Sequence, residues 1–190
     1  MGSLSRILAT CGASIVLSGP VMAGVEETVA LDAVPSMVVE IAEENFAKLR
    51  LATDESVDLD DDTVLGDGMT ATYVELGAVE IVSANTETED DGSFVYEIQG
   101  VLADSRKVEV DIFPNGRVAE IELEFMRDDV PGAILNAVEA EMPGFAPDFI
   151  EASHSASMQV IGYEFSGLMG TETLDIEVSA DGRNITLGDE

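Results

Sequence analysis

Two segments of the sequence contain the same short motifs in the same order. Each has Tyr-Glu-x-x-Gly, then a stretch of alternating apolar and acidic residues, then an Asn-Gly or Asp-Gly turn. Tyr96 and Tyr163 open the two copies, and the turn glycines Gly116 and Gly182 follow 20 and 19 positions later. A fixed order of motifs at nearly constant spacing indicates an internal repeat. The chain is therefore expected to fold as two related units.

A helix with one apolar side is predicted ahead of each copy. Apolar residues recur at steps of three and four from Pro35 to Leu49, and again from Pro131 to Met142. This spacing places them along one side of an α-helix. Each proline lies in the first turn, where its missing N–H costs no hydrogen bond.

Four strands are predicted after each helix, since apolar and polar residues alternate there and glycine-containing turns separate the segments. An antiparallel sheet can have one apolar and one polar face, so each helix is expected to cover the apolar face. The predicted fold class is α+β, with two tandem repeats, each one helix packed on a four-stranded antiparallel meander sheet. The predicted strands are residues 79–88, 94–102, 106–113, 117–125, 148–154, 159–166, 173–179 and 183–187.

The two copies divide the chain into domains. We expect repeat 1 to span residues 34–125 and repeat 2 to span 130–190, with a linker at 126–129. Residues 50–77 have no counterpart in the second copy. They are rich in aspartate and contain several glycines, so they are interpreted as an acidic insert in repeat 1.

Residues 1–23 have the three-part form of a secretory signal peptide. After a short start with one arginine, Ile7 to Leu17 is apolar or small, and Ala23 ends a Val-Met-Ala cleavage site. Such an apolar run is too short to span a bilayer, for which about 20 residues are needed. Cleavage would leave an acidic leader at 24–33 and remove Cys11, the single cysteine. The sequence thus predicts a periplasmic or secreted bacterial protein without disulfides.

The charge of the chain limits its partners. Aspartate and glutamate number 39 against 8 lysines and arginines, and the formal net charge is −31. Nucleic acid is excluded because it requires a basic surface, and an anionic membrane surface is disfavoured for the same reason. Three interpretations remain: a surface adapted to a salty medium, a sink for cations, or a docking surface for a basic partner.

The order of the repeated motifs resembles that of the PepSY domain, here in tandem. The motifs are a Val-Pro-led helix, Tyr-Glu-x-x-Gly, a Val-x-Val-Asp strand and an Asn/Asp-Gly turn. Residues 130–187 match throughout, and 34–123 match apart from the insert. PepSY domains are exported or cell-envelope modules, also found in propeptides of secreted metalloproteases, with a proposed role in restraining peptidases. The layout is also similar to the β-lactamase-inhibitory protein fold, which binds with a concave sheet formed by both repeats.

The resemblance implies a fold, a compartment outside the cytoplasm and a protein partner such as a peptidase. The matched residues are structural ones, so it implies no catalytic residue.

The residues themselves also give little support to catalysis. His154 is the single histidine, and its neighbours Ser153 and Ser155 should point to the opposite face of their strand. It is interpreted as a partly exposed strand histidine. One histidine and no mature cysteine cannot form a typical zinc site. The protein is therefore not expected to be an enzyme.

The acidic insert is a candidate calcium site. An EF-hand loop that begins at Asp58 needs glycine and glutamate where Thr63 and Met69 stand, so that motif fails. A looser site remains an alternative to a solvated acidic loop, and no other cofactor is implied. The candidate cation ligands are Asp58, Asp60, Asp61 and Asp62.

The outward-pointing strand residues are the candidate partner-binding site. They are acidic and should gather on the polar face of each sheet; if the two sheets join at an edge, they form one broad acidic surface. Such a surface attracts a basic partner and holds it weakly in high salt. An exposed face adapted to salt is the alternative interpretation. The candidates are Glu97, Glu109, Asp111, Glu120, Glu122, Glu124, Glu164, Asp175 and Glu177.

These observations lead to a ranked set of functions. The leading hypothesis is an exported, non-enzymatic protein-binding module that restrains a peptidase or another envelope enzyme. The runner-up is a calcium- or cation-binding envelope protein that uses the acidic insert. A hydrolase that depends on His154 comes third.

Overall fold

The computed structural model describes residues 25–52, 73–88, 92 and 94–188. Nearly half of these residues belong to one antiparallel sheet of nine strands. The strands of this sheet are β1 (Val25–Val29), β4 (Val79–Thr88), β5 (Phe94–Leu102), β6 (Lys107–Ile112), β7 (Val118–Glu124), β8 (Phe145–His154), β9 (Val160–Met169), β10 (Glu172–Ser179) and β11 (Ile185–Leu187).

Two short helices accompany the sheet. Helix α1 is Ser36–Phe46 and helix α2 is Gly132–Glu141. Both begin directly after a proline, as the sequence predicts, and both are shorter than predicted. Two short 3-10 turns, Leu31–Ala33 and Arg127–Asp129, lead into them.

The predicted fold of two repeats, each with one helix packed on its own four-stranded sheet, is wrong. Strand β7 pairs with β8 in register, with Leu123 opposite Ala152, so the strands after α1 and those after α2 form one continuous sheet. A small sheet of four strands that ended at β7 would leave an unpaired edge and bury little surface. Pairing β7 with β8 removes that edge and joins the apolar residues into a single core.

The core lies on one face of the sheet. Val38, Ala42 and Phe46 of α1 and Ile134 and Val138 of α2 belong to one hydrophobic cluster with the apolar strand residues. The fully buried strand members of this cluster alternate along their strands, which places them on the helix side. The largest of them are Ile98, Val108, Val110, Ile112, Ile121, Leu123, Phe165 and Ile176. Val95 of β5 is also fully buried but lies on the opposite face, across from Glu87.

The edges of the sheet and the insert complete the fold. Strand β1, in the predicted leader, pairs with β4 from Val25 opposite Thr88 to Val29 opposite Ala84. At the ends of the insert, β2 (Arg50–Ala52) and β3 (Tyr73–Glu75) form a separate two-stranded sheet.

Two motif glycines lie inside strands. The predicted strand 159–166 stops before Gly167, but the structure places Gly167 inside β9 and Gly100 inside β5. A Cβ atom at Gly167 would stand 2.3 Å from the carbonyl oxygen of Ala146, and one at Gly100 would stand 2.2 Å from Val79 Cγ1. These glycines therefore allow Ala146 of β8 to lie close to β9 and Val79 of β4 to lie close to β5. The hairpin glycines Gly116 and Gly182 have positive φ, of 83° and 68°, as their turns require.

Arg106 connects the turn after β5 with the segment before α2. Its guanidinium Nη2 lies 2.7 Å from Asp104 Oδ2, and Nη1 lies 3.4 Å from Asp129 Oδ2. The residue is only 7% exposed. This buried cation thus links the parts of the chain on either side of β7.

Of the helices that the structure describes, neither has the length and apolar character needed to cross a membrane.

Candidate binding face

The sheet has a second face, opposite the helices and the core, and its side chains are mainly acidic. Residues opposite each other in antiparallel pairs share a face of the sheet. The strand register therefore places carboxylates of β1 and of β4 to β10 on this side. We call this surface the acidic face. Its carboxylates are Glu26, Glu80, Glu87, Glu97, Glu109, Asp111, Glu120, Glu122, Glu124, Glu151, Glu164, Asp175 and Glu177.

Acidic residues on this face stand directly opposite one another. The longest series crosses four neighbouring strands, where Glu124 pairs with Glu151, Glu151 with Glu164, and Glu164 with Glu177. We call these four residues the glutamate ladder. Directly opposite side chains have Cβ atoms about 5 Å apart, and like charges at that distance destabilise a sheet. The ladder therefore disfavours folding when it is fully ionised.

A second acidic group lies on the central strands. Glu97 of β5 pairs with Asp111 of β6, and Asp111 pairs with Glu120 of β7. Glu109 follows on the same side of β6. One carboxylate oxygen each from Glu97, Glu109 and Asp111 lies within 4.8 Å of the other two. That spacing and the all-oxygen donor set would suit a hard divalent cation.

Several of these carboxylates are removed from water. Glu97 is 7% exposed, while Glu109, Asp111, Glu122 and Glu151 are half-buried. The Oδ1 atom of Asp111 is wholly buried and has no hydrogen-bond partner in the described structure. Burial without a donor disfavours the ionised form of a carboxyl group.

The pKa values of the face reflect this burial. Burial, followed by repulsion from Glu109, raises the pKa of Asp111 to about 9 and that of Glu97 to about 8. Burial and the nearby Glu151 raise the pKa of Glu122 to about 8. For Glu151, burial and Glu109 raise the pKa to about 7. Near neutral pH the face therefore retains protons that exposed carboxylates would have lost.

Burial also raises the pKa values of Glu164 and Glu109. For Glu109 a hydrogen bond from Gln99 acts in the opposite direction and lowers the pKa. The amides supply part of the hydrogen bonding here. Gln99 Nε2 donates to Glu109 Oε2 at 2.7 Å, Ser83 Oγ donates to Gln99 Oε1 at 2.6 Å, and Asn85 donates to Glu26.

A hollow of about 410 Å³ opens on the acidic face above β7 to β11. Its floor includes a glycine, which leaves space between the neighbouring side chains. Four carboxylates line it together with neutral polar and apolar residues, and one half-exposed isoleucine adds an apolar part. The residues that shape it are Glu120, Glu122, Ile161, Gly162, Glu164 and Glu177.

His154 lies on the other side of the sheet, within the core. It is 4% exposed, its Nδ1 donates to the carbonyl oxygen of Ala152 at 2.8 Å, and its ring centroid is 6.0 Å from that of Phe125. The prediction of a partly exposed histidine is therefore wrong. Strand alternation correctly separates it from Ser153, which lines the hollow on the opposite face.

The structure brings all the sequence-predicted partner-binding carboxylates to one face. Sequence reasoning missed Glu151, although it alternates with the buried Ile150 and Ala152 and could have been found that way. It also missed Glu26, because β1 has no local sequence pattern that predicts its pairing with β4, and Glu87, because a bulge between Ile81 and Ser83 shifts the alternation of β4. The candidate cation ligands Asp58, Asp60, Asp61 and Asp62 lie outside the described residues.

Protein-family models, curated proteins and solved structures were each compared with the chain, and none of them matches it.

Proposed function

We propose that this protein is an exported, non-enzymatic binding module that holds another protein on the acidic face of its sheet. The observation that carries the proposal is the glutamate ladder, in which four glutamates stand opposite one another across β7 to β10. Such a ladder lowers stability, and features that lower stability without a structural benefit are concentrated at functional sites.

The burial of the carboxylates favours binding over the alternative of a salt-adapted surface. A surface adapted to salt needs exposed, hydrated carboxylates. Glu109, Asp111, Glu122 and Glu151 are instead half-buried, with raised pKa values. These groups would gain solvation or counter-charge from a partner, whereas they gain little from bulk salt.

The extent of the face favours a protein as the partner. The acidic residues extend from β1 to β10, while the helices and the core occupy the other side. Protein interfaces bury roughly 800 Å² on each partner, which requires a surface that spans several strands. The PepSY resemblance adds a class of partner, a peptidase or another envelope enzyme.

Position-specific cross-linking tests the proposal. Cys11 is the single native cysteine and lies in the predicted signal peptide, so one introduced cysteine can carry a photo-crosslinker. We expect Ser153→Cys and Ser166→Cys, both on the acidic face, to capture the same protein from the envelope fraction of the source cells. Asn136→Cys, which is exposed on α2, is the matched control.

The captured protein must also bind again when purified. Equal capture from Asn136→Cys, or no rebinding, would contradict the proposal. Export is tested separately by the mass of the protein from cells, which should correspond to a chain that begins at Gly24; an intact chain in the cytoplasm would contradict it.

A further inference from the structure

The acidic face is a sheet surface with a strong excess of one charge. Lys107 is the described cation that the register places here, at one end of the glutamate ladder, with its Nζ 5.8 Å from the centroid of the Phe149 ring. We propose that the occupant of this face is a basic segment of the partner protein, with a lysine or arginine side chain in the hollow above Gly162. This inference rests on the proposed function and adds the chemistry of the partner.

The hollow has the shape and chemistry that a long cationic side chain requires. Gly162 contributes no side chain to the floor, and a Cβ there would stand 3.4 Å from the nearest atom, the carbonyl oxygen of Val178. Ile161, which is 49% exposed, offers an apolar surface for the methylene stem. Glu122 and Glu164 are placed to accept hydrogen bonds from the charged head group.

Binding of this kind is coupled to proton release. Glu122 is surrounded by acids: its pKa is raised by burial and by Glu151 of β8, Glu109 of β6, Glu120 of its own strand and Glu164 of β9. Glu164 in turn is repelled by Asp175 and Glu177 of β10. A partner's cation would lower these pKa values, so protons held by the free protein leave when the segment binds.

Elsewhere on the face the neighbours are also acidic. Asp111 is repelled by Glu109, Glu122, Glu97 and Glu120. Lys107 is the exception, since it lowers the pKa of Glu151 against the effects of burial and of Glu109, Glu164 and Glu124. A bound cationic segment would lower the pKa values of the ladder carboxylates, as Lys107 already does for Glu151.

Calorimetry with a defined probe tests the inference. The probe is a short synthetic peptide of alternating lysine and serine, and its control is the same peptide with every lysine acetylated. We expect saturable binding of the first peptide alone. The buffer takes up the released protons, so the measured binding heat at about pH 7 should differ between phosphate and Tris. The difference should correspond to release of about one proton or more per bound peptide. Affinity should rise with pH between about 6 and 9 as the face ionises.

Three variants locate the binding. Glu122→Gln combined with Glu164→Gln should weaken the peptide at least about tenfold and reduce proton release. Glu139→Gln with Glu141→Gln removes the same charge from the exposed surface of α2 and should change affinity less than about twofold. Ser153→Phe fills the hollow without a change of charge, and it should also weaken the peptide several-fold.

The inference is overturned if the acetylated peptide binds equally, if heats do not depend on the buffer, or if the α2 variant loses as much affinity. It is also overturned if Ser153→Phe binds normally, or if calcium or spermine displaces the peptide at lower concentration, because the occupant would then be a small cation. Cross-linking from Ser153→Cys and Ser166→Cys does not depend on the partner's charge. A captured partner together with an inert lysine peptide would thus refute the basic segment alone.

Discussion

Glu97 of β5 and Asp111 of β6 stand directly opposite each other in the centre of the sheet. Both are acidic, both are largely removed from water, and their pKa values are raised to about 8 and about 9 by burial and by repulsion from Glu109. The folded protein can accommodate this pair because both carboxyl groups remain protonated at neutral pH. The stability of the protein should therefore depend on pH in a way that ordinary surface carboxylates do not produce.

Asp111→Asn should stabilise the protein at alkaline pH. An unfolded chain loses the Asp111 proton near pH 4, while the folded protein keeps it until about pH 9. The stability that Asp111 contributes is complete below pH 4 and is lost as pH rises toward 9. Asparagine does not titrate, so we expect a gain of about 1 to 3 kcal/mol in the free energy of unfolding at pH 8, and a smaller gain at pH 5. Urea unfolding at both values measures it.

Glu40→Gln is the control for net charge, because it removes one carboxylate from an exposed position on α1. The prediction fails if Asp111→Asn has the same effect at both pH values, or if the control reproduces it. In either case the change would come from total charge rather than from the buried position.

Arg106→Met should destabilise the protein through the two carboxylates that it leaves behind. Asp129 has a side chain only 24% exposed and would lose a charged partner, although the backbone N–H of Met126 would still donate to it. Breaking a buried ion pair by removing one partner costs about 3 to 5 kcal/mol; Asp104 is 49% exposed, so the lower end is expected here. Denaturant unfolding measures the loss.

Asp104→Asn serves as the matched variant. It weakens the more exposed contact of Arg106 and retains the contact with Asp129, so we expect a cost below about 1 kcal/mol. Equal losses in the two variants would show that the connection to Asp129 does not stabilise the fold.

Much of the local structure could be predicted from the sequence, because alternation and turn chemistry act over a few residues. The predicted strands 79–88 and 94–102 coincide with β4 and β5, and both prolines precede helices. The joining of the two repeats could not be predicted. The register of Leu123 opposite Ala152 connects residues on either side of α2, and no short-range pattern encodes it.

The candidate site could also be predicted only in its local features. The side on which Glu122 or Glu164 lies follows from alternation, and the sequence places both correctly. Their burial does not follow from it, since it depends on which strands are neighbours and how closely their carboxylates are packed. For the same reason the predicted strand 159–166 stops before Gly167, which the structure requires as glycine because Ala146 lies so close to it.

Gly167→Ala and Gly162→Ala form a matched pair in one strand. At Gly167 the new Cβ would meet backbone atoms of Ala146 and Pro147 at 2.3 to 2.8 Å, which forces β8 and β9 apart. We expect a loss of about 2 to 4 kcal/mol in the free energy of unfolding. At Gly162 the nearest atom is 3.4 Å away, so the effect should be within about 1 kcal/mol. Thermal and urea unfolding compare the two, and a tolerated Gly167→Ala would show that the strands separate easily at this point.

His154→Leu should protect the protein against acid without affecting the acidic face. Burial lowers the pKa of His154, against hydrogen bonds to the backbone at Ala152 and Ile121 that raise it. Below about pH 6.5 the unfolded chain takes up a proton that the folded protein resists, so stability falls as pH falls. Leucine cannot take up that proton; it loses the bond to Ala152, which costs about 1 kcal/mol at pH 8, but its deficit should shrink or reverse at pH 5. Urea unfolding across this range checks the slope, and binding of the lysine peptide should be unchanged because His154 lies in the core. A constant deficit at all pH values would mean that His154 ionises in the folded protein as easily as in the unfolded chain.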